Sequence, residues 1–243
     1  MWVYLLYTGY LEQKVVCSLA IPSIDYWHLS YAVPLQNAGR IVGGVVTTID
    51  QYPYGSAVLA AQDLVTFRQN CGGSILNTRS VLTAAHCLGR SIQVTRLRVG
   101  SSFGNSGGTV HAVANLILHP NYNPFTFDSD IAIVHSHEDC IKIMLQTNGP
   151  TSEQLRHVQV NTINQQVCQQ RYGSLTITAN MLCSGRLDVG GFGQCQMDSG
   201  GPVIHNNVII GVTSFGPMEC GSGQFPTVNV RVSQFTSWIQ ANA

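Results

Sequence analysis

From Ile41 onward the chain is a series of short Val/Ile/Leu-rich runs, each closed by Gly, Asn, Ser or Pro. Ser56–Ala61, Ser74–Leu76, Leu97–Gly100, Ile131–Val134, Val158–Ile163 and Val208–Phe215 are examples. Many short runs at such spacing predict an all-β sandwich or barrel. The one helix predicted is terminal, because Val232, Phe235, Trp238 and Ile239 fall at helical spacing with Ser233 nearby as a cap. The composition agrees, with 44% hydrophobic residues, 10% charged residues and 24 glycines. Those proportions suit a compact, loop-rich globule rather than a disordered chain. A length of 243 residues fits one all-β domain or two small halves.

Lys plus Arg and Asp plus Glu each number 12, so the formal net charge is zero. The broad basic surface that nucleic acid demands is missing, and DNA and RNA are excluded as expected partners. Eight cysteines at wide, irregular gaps, with no Cys-x-x-Cys pair, point to disulfides and an oxidising compartment rather than a zinc site. The leader reads less clearly. Trp2–Tyr10 and Val15–Ile21 are both apolar, but the first positive charge, Lys14, lies between them. Neither reaches the roughly 18 apolar residues that span a bilayer, and no membrane is expected. Residues 1–40 read as a leader and activation propeptide, and 41–243 as the functional domain.

Four segments carry chemistry when taken together. Ala84-Ala85-His86-Cys87 follows the strand-like Val81-Leu82-Thr83. Asp128-Ser129-Asp130 precedes the strand-like Ile131–Val134. Asp198-Ser199-Gly200-Gly201-Pro202 makes a glycine-rich turn, and Arg40-Ile41-Val42-Gly43-Gly44 opens the body of the chain. A serine hydroxyl is a weak nucleophile at neutral pH and needs an adjacent base to take its proton. Any one of these residues alone would pass for a buried polar group or a turn serine. In this order they form a specific signature.

These segments resemble the chymotrypsin/trypsin-like serine peptidases, insect digestive trypsins above all, over residues 40–134 and 151–243. The resemblance implies two antiparallel β-barrels of the six-stranded type and a C-terminal helix. It implies a secreted, monomeric serine endopeptidase that hydrolyses peptide bonds in proteins and needs no cofactor or metal. Ser199 would be the nucleophile, His86 the proton carrier, and Asp130 the residue that fixes the imidazole tautomer. The backbone N–H groups of Met197 and Ser199 would form the oxyanion hole. Met197 departs from the family's glycine there, which predicts a crowded leaving-group side and weakened catalysis.

The same resemblance implies a zymogen. Cleavage after Arg40 by a trypsin-like protease would free the α-amino group of Ile41 to pair with Asp198, ordering the oxyanion loop. It also implies the bridges Cys71–Cys87, Cys168–Cys183 and Cys195–Cys220. Cys17 and Cys140 are left over, and a bond between them would tether the propeptide. In trypsins an aspartate stands six residues before the nucleophile at the pocket floor; here that residue is Gly193. No carboxylate replaces it at Gln194, Ser214, Phe215 or Gly216, and Thr227 stands where the family has a glycine. An arginine in such a pocket would be desolvated without a partner, so a small to medium apolar side chain is expected.

Residues 135–150 match nothing in the family, and the span from Asp130 to Ser199 is shorter by roughly 25–30 residues. The lost residues include the first strand of the second barrel, so that barrel is expected to be incomplete, with opened edges. His135, His137, Glu138, Asp139 and Cys140 bring ligand types together, but ligand types alone do not make a metal site. Two alternatives to an active enzyme fit the same departures. One is a catalytically weak or inactive homologue that keeps the fold and acts by binding, whereas protein inhibitors are expected partners of the active enzyme. The other is a truncated product that does not fold.

Overall fold

The structure, a computed structural model, describes residues 41–88, 91–137 and 154–243. The expected propeptide with Arg40, the cysteines Cys17 and Cys140, and the atypical segment from Glu138 onward lie outside these residues. The described residues are mostly β, with one closed barrel and one open sheet.

The barrel closes in the order β2 (Gly55–Ala60), β3 (Arg68–Ile75), β4 (Ser80–Thr83), β7 (Ala132–Ser136), β6 (Thr109–Leu118) and β5 (Thr95–Val99). All neighbours pair antiparallel. Alternation is plain in β5, where Thr95, Leu97 and Val99 are buried and Arg96 and Arg98 are only partly covered. Leu59, Leu82, Leu97, Ile131 and Ile133 are almost wholly enclosed, and each such side chain contributes about 2 kcal/mol of burial. His135 and Ser136, the first residues of the atypical segment, continue β7 and pair with Ser80 and Val113.

The second sheet runs β11 (Pro202–His205), β12 (Val208–Phe215), β13 (Thr227–Arg231), β10 (Met181–Gly185) and β9 (Asn161–Ile163), and among the described residues it does not close. Its own core is small, built on Cys168, Ile177, Met181, Cys183 and Val228. Val212 and Val230 instead pack into the larger core that fills the barrel side. The expected incomplete second barrel is thus an open half-barrel. A short ribbon pairs β1 (Val45–Val46) with β8 (Arg156–His157). The predicted run Val158–Ile163 is strand only from Asn161.

The terminal helix differs from its expectation in extent. Val232–Gln234 form a 3-10 turn, and α2 begins at Thr236 with Phe235 at the N-cap position and no side-chain cap, so Ser233 does not cap it. A further helix, α1 (Gln165–Tyr172), escapes the hydrophobic pattern because its sequence, Gln-Gln-Val-Cys-Gln-Gln-Arg-Tyr, has no apolar stripe. It is held instead by the Asn164 carboxamide, which accepts from the Gln166 and Val167 amides, and by the Cys168–Cys183 bond.

Candidate active site

His86 and Asp130 approach because of strand pairing. β4 and β7 are antiparallel neighbours with Thr83 opposite Ala132. His86 lies in the 3-10 turn that leaves β4, and Asp130 closes the loop that enters β7. Ser129, at φ 55°, turns the chain so that the Asp130 carboxylate points inward. Asp130 is fully buried, yet its oxygens are well supplied with donors. Oδ1 accepts from the His86 amide at 2.8 Å, and Oδ2 accepts from His86 Nδ1 and Ser214 Oγ, both at 2.6 Å. A buried carboxylate requires such donors. The carboxylate holds the proton on Nδ1, which leaves Nε2 free to act as an acceptor.

Ser199 comes from the turn before the second sheet's β11, and among the described residues no hydrogen bond joins its Oγ to His86 Nε2. Its carbonyl accepts from the Gly72 amide at 2.8 Å, pinning the turn against β3. Gly200 is required there: at φ 79°, a Cβ on it would stand 2.2 Å from Thr83 Oγ1 and 2.4 Å from the Gly72 oxygen. Ser199 Oγ lies 3.4 Å from the Ser214 carbonyl oxygen and donates toward it, while the Ser214 hydroxyl bonds Asp130. One residue of β12 therefore touches both ends of the constellation. The Met197 and Ser199 amides donate to no acceptor among the described residues. Met197 itself sits at φ 69° with its side chain exposed.

An aromatic wall flanks His86. The Phe127 ring stands edge-on to the imidazole at 5.6 Å and lies 5.6 Å from Phe215, whose other side meets Tyr172 at 6.1 Å. Burial pushes the Tyr172 hydroxyl up to about 12, and it donates to the Pro226 carbonyl at 2.6 Å beside Thr227. A Cβ built on Gly216 would lie 3.5 Å from Thr227 Oγ1, so these two residues face each other. Gly193 exchanges two backbone hydrogen bonds with Val42, and Gln194 reaches Asn229. Sequence reasoning missed Ser184 and Asn229 beside Gln194 and Thr178 and Asn180 behind Asp130, and it gave Asp128, in the motif itself, no role of its own. All are polar residues whose partners lie far away in the chain.

Cys71–Cys87, Cys168–Cys183 and Cys195–Cys220 are disulfide-bonded. The first joins β3 to the His86 turn, and the last joins the residues around Gly193 to the loop after β12. Cys71, Cys87 and His86 lie close enough to suggest a metal site. Their sulfurs, however, are spent in the disulfide and offer no thiolate. In the other suspected cluster, His135 Nε2 is taken by the Asn242 carbonyl at 2.8 Å, and Glu138, Asp139 and Cys140 fall outside the described residues.

A protein-family model described as Trypsin matches residues 41–143 and 141–239. The chain belongs to the trypsin family of serine endopeptidases. Trypsin CFT-1 of Choristoneura fumiferana is 51% identical over 238 residues, covering 84% of this chain and 91% of that one. Trypsin, alkaline C, of Manduca sexta is 48% identical over 242 residues, covering 87% and 94% respectively. Among solved structures, neuropsin, a serine protease expressed in the limbic system of mouse brain, superposes with a TM-score of 0.70 at 26% identity. That match covers 82% of this chain and 98% of neuropsin. The substrates of a trypsin-family endopeptidase are proteins and peptides. Among the described residues no helix is long and apolar enough to cross a membrane.

Proposed function

We propose that this chain is a secreted digestive endopeptidase, made as a zymogen and working as a monomer, in which Ser199, His86 and Asp130 perform the chemistry. The observation that carries the reading is the double hydrogen bond to Asp130 Oδ2, from His86 Nδ1 and from Ser214 Oγ, both at 2.6 Å. It supports an imidazole oriented through Nδ1, with Nε2 left as the atom to take the Ser199 proton.

In the reaction, Ser199 Oγ attacks the scissile carbonyl carbon and its proton passes to His86 Nε2. The carbonyl oxygen becomes an oxyanion that receives the Met197 and Ser199 amides, each donor being worth about 3 kcal/mol in the transition state. Collapse breaks the C–N bond, and His86 returns the proton to the departing amine. Water then attacks the acyl-enzyme with His86 again as the base. Ser199 is released with its proton, and the carboxylic acid departs. Asp130 keeps its hydrogen bond to Nδ1 and stabilises the imidazolium.

Activation follows cleavage after Arg40 by a separate trypsin-like protease. The pairing of Val42 with Gly193 supports this, since it lays the segment after Arg40 against the candidate pocket floor. Asp198, which takes the Cys195 amide on Oδ2 at 2.8 Å, would gain the freed Ile41 amine as a further partner. The pocket, formed by Gly193, Gln194, Ser214, Phe215, Gly216 and Thr227, takes a neutral P1 side chain of small to medium size. Protein inhibitors would approach the same cleft.

A second reading, a homologue that binds without cleaving, draws on Met197 in the oxyanion loop and on the open second sheet. A fluorophosphonate probe decides between them after cleavage at Arg40. Labelling of Ser199 together with peptide hydrolysis is the expected result. A protein that unfolds cooperatively but takes no label would overturn the catalytic reading in favour of the second.

A further inference from the structure

Gln194 follows the floor glycine, and its carboxamide is folded inward. Its Nε2 lies 3.2 Å from Ser184 Oγ and 3.3 Å from Asn229 Oδ1. Asn229 is fully buried on β13, two residues after Thr227 and on the same face. Its Nδ2 donates to the Leu182 carbonyl at 2.8 Å and lies 2.9 Å from Ser184 Oγ. A carbonyl accepts only, so the Asn229 amide is fixed and presents Oδ1 to Gln194. Gln194 must then offer a donor, which fixes its own amide with Nε2 toward Asn229. The consequence falls on the other end. Gln194 Oε1 is sealed from solvent and has no hydrogen-bond donor among the described residues.

We propose that Gln194 Oε1 reads the P1 residue, selecting uncharged side chains of short or medium length that end in an N–H or O–H donor. The inference rests on the reading of this hollow as the primary pocket. Charge is decided by Gly193, which supplies no carboxylate for a basic side chain. Width is decided by Thr227 opposite Gly216. Polarity is decided by the orphan oxygen. A P1 donor gives it the partner it lacks, whereas an apolar side chain of the same shape leaves it buried and unpaired. The oxygen is covered in the free enzyme, so the donor meets it after a turn of the carboxamide about its long Nε2 contacts, 3.2 Å to Ser184 and 3.3 Å to Asn229. The selected classes are serine, threonine, asparagine and glutamine, in preference to the apolar residues that match them in shape.

Isosteric pairs test this directly in the activated full chain. Fluorogenic peptides differing only at P1 would compare threonine with valine, asparagine with leucine, and glutamine with methionine. The expected result is a kcat/KM about tenfold higher for the donor in at least one pair, and loss of that preference in Gln194→Met. Equal or better cleavage of the apolar member in every pair would overturn the inference without any variant. A preference that survives in Gln194→Met would remove Gln194 from it. Fluorophosphonate labelling of the unmodified protein depends on no P1 side chain and keeps the two readings separate. Labelled protein without donor preference sinks this inference alone, while unlabelled protein sinks the proposed function beneath it.

Discussion

Asp128 Oδ1 accepts a 2.5 Å hydrogen bond from Thr178 Oγ1, and this bond ties the loop that ends in Asp130 to the sheet that carries Ser199. Asn180 Nδ2 reinforces it, lying 3.2 Å from Oδ1 and 3.1 Å from Oδ2. Two residues on, Ser214 makes the second tie by bonding Asp130 itself. The barrel supplies His86 and Asp130, and the open sheet supplies Ser199 and Ser214. These polar contacts add to the shared apolar core, which Val212 and Val230 enter, in setting their register.

Removing the Asp128 tie is expected to separate positioning from binding. Thr178→Val should lower kcat about tenfold with KM little changed, and Thr178→Ser should restore most of it. Stability should fall by about 1.5–3 kcal/mol, the range for a hydrogen bond to a charged group. Steady-state kinetics and urea unfolding report the two effects. A loss of stability with kcat intact would show that the tie is structural only.

Ser199→Ala and His86→Ala should each abolish peptide hydrolysis by a factor on the order of 10^4 or more, because members of such a unit act together. The double variant should be no worse than either single one. Hydrolysis at the unmodified rate in Ser199→Ala would remove this serine from the mechanism.

How much of this was legible in the sequence depends on the range of the interaction concerned. His86, Asp130 and Ser199 sit in short motifs that can be recognised locally, and the three disulfides followed from the same family frame. The open second sheet agrees with the incomplete second barrel expected from the short span between Asp130 and Ser199. α1 was not legible, because a disulfide and an asparagine cap hold it in place of an apolar stripe. The Asp128–Thr178 and Gln194–Asn229 contacts join residues 50 and 35 positions apart. No local pattern announces such pairs; only the tertiary fold brings them together.

Met197 occupies a left-handed backbone conformation, φ 69°, that an L side chain disfavours by about 1–2 kcal/mol. Its amide is one of the two donors proposed for the oxyanion, so strain here bears on the transition state. Met197→Gly should raise kcat/KM about fivefold, the rate equivalent of roughly 1 kcal/mol. It should also tighten the binding of protein inhibitors that press on the leaving-group side. Unchanged kinetics and inhibitor affinity would mean that the methionine is accommodated freely.

His119 links pH to stability away from the reaction. Its ring stands edge-on to Phe235 and to Trp238, at 5.0 Å from each. Burial lowers its pKa, and the nearby Asp128 opposes that effect without cancelling it. A histidine whose folded pKa is depressed contributes stability above its unfolded value, near 6.5. That contribution is lost as the pH falls through the folded value. His119→Phe keeps an aromatic ring in place and should flatten the decline in stability between about pH 7 and pH 5. Urea midpoints measured across that range check it. An equal decline in both proteins would clear His119 of the effect.

Cleavage after Arg40 needs a protease that accepts a basic side chain, yet Gly193 supplies no carboxylate to the floor of the proposed pocket. A Cβ built on Gly193 would come within 3.3 Å of Gly221 Cα, so the floor is closed by backbone on that side. The carboxamide of Gln194 does not substitute for a carboxylate, because it is neutral and its donor end is already committed to Asn229. The precursor should therefore not activate itself and should depend on a separate trypsin in the same fluid. Purified precursor would be incubated alone and with trace trypsin, following release of the Ile41 terminus by amino-terminal sequencing. Release only with added trypsin is the expected outcome. Release by the precursor alone, absent from a Ser199→Ala control, would show that the pocket accepts arginine. The group that meets the guanidinium would then have to be sought outside Gly193 and Gln194.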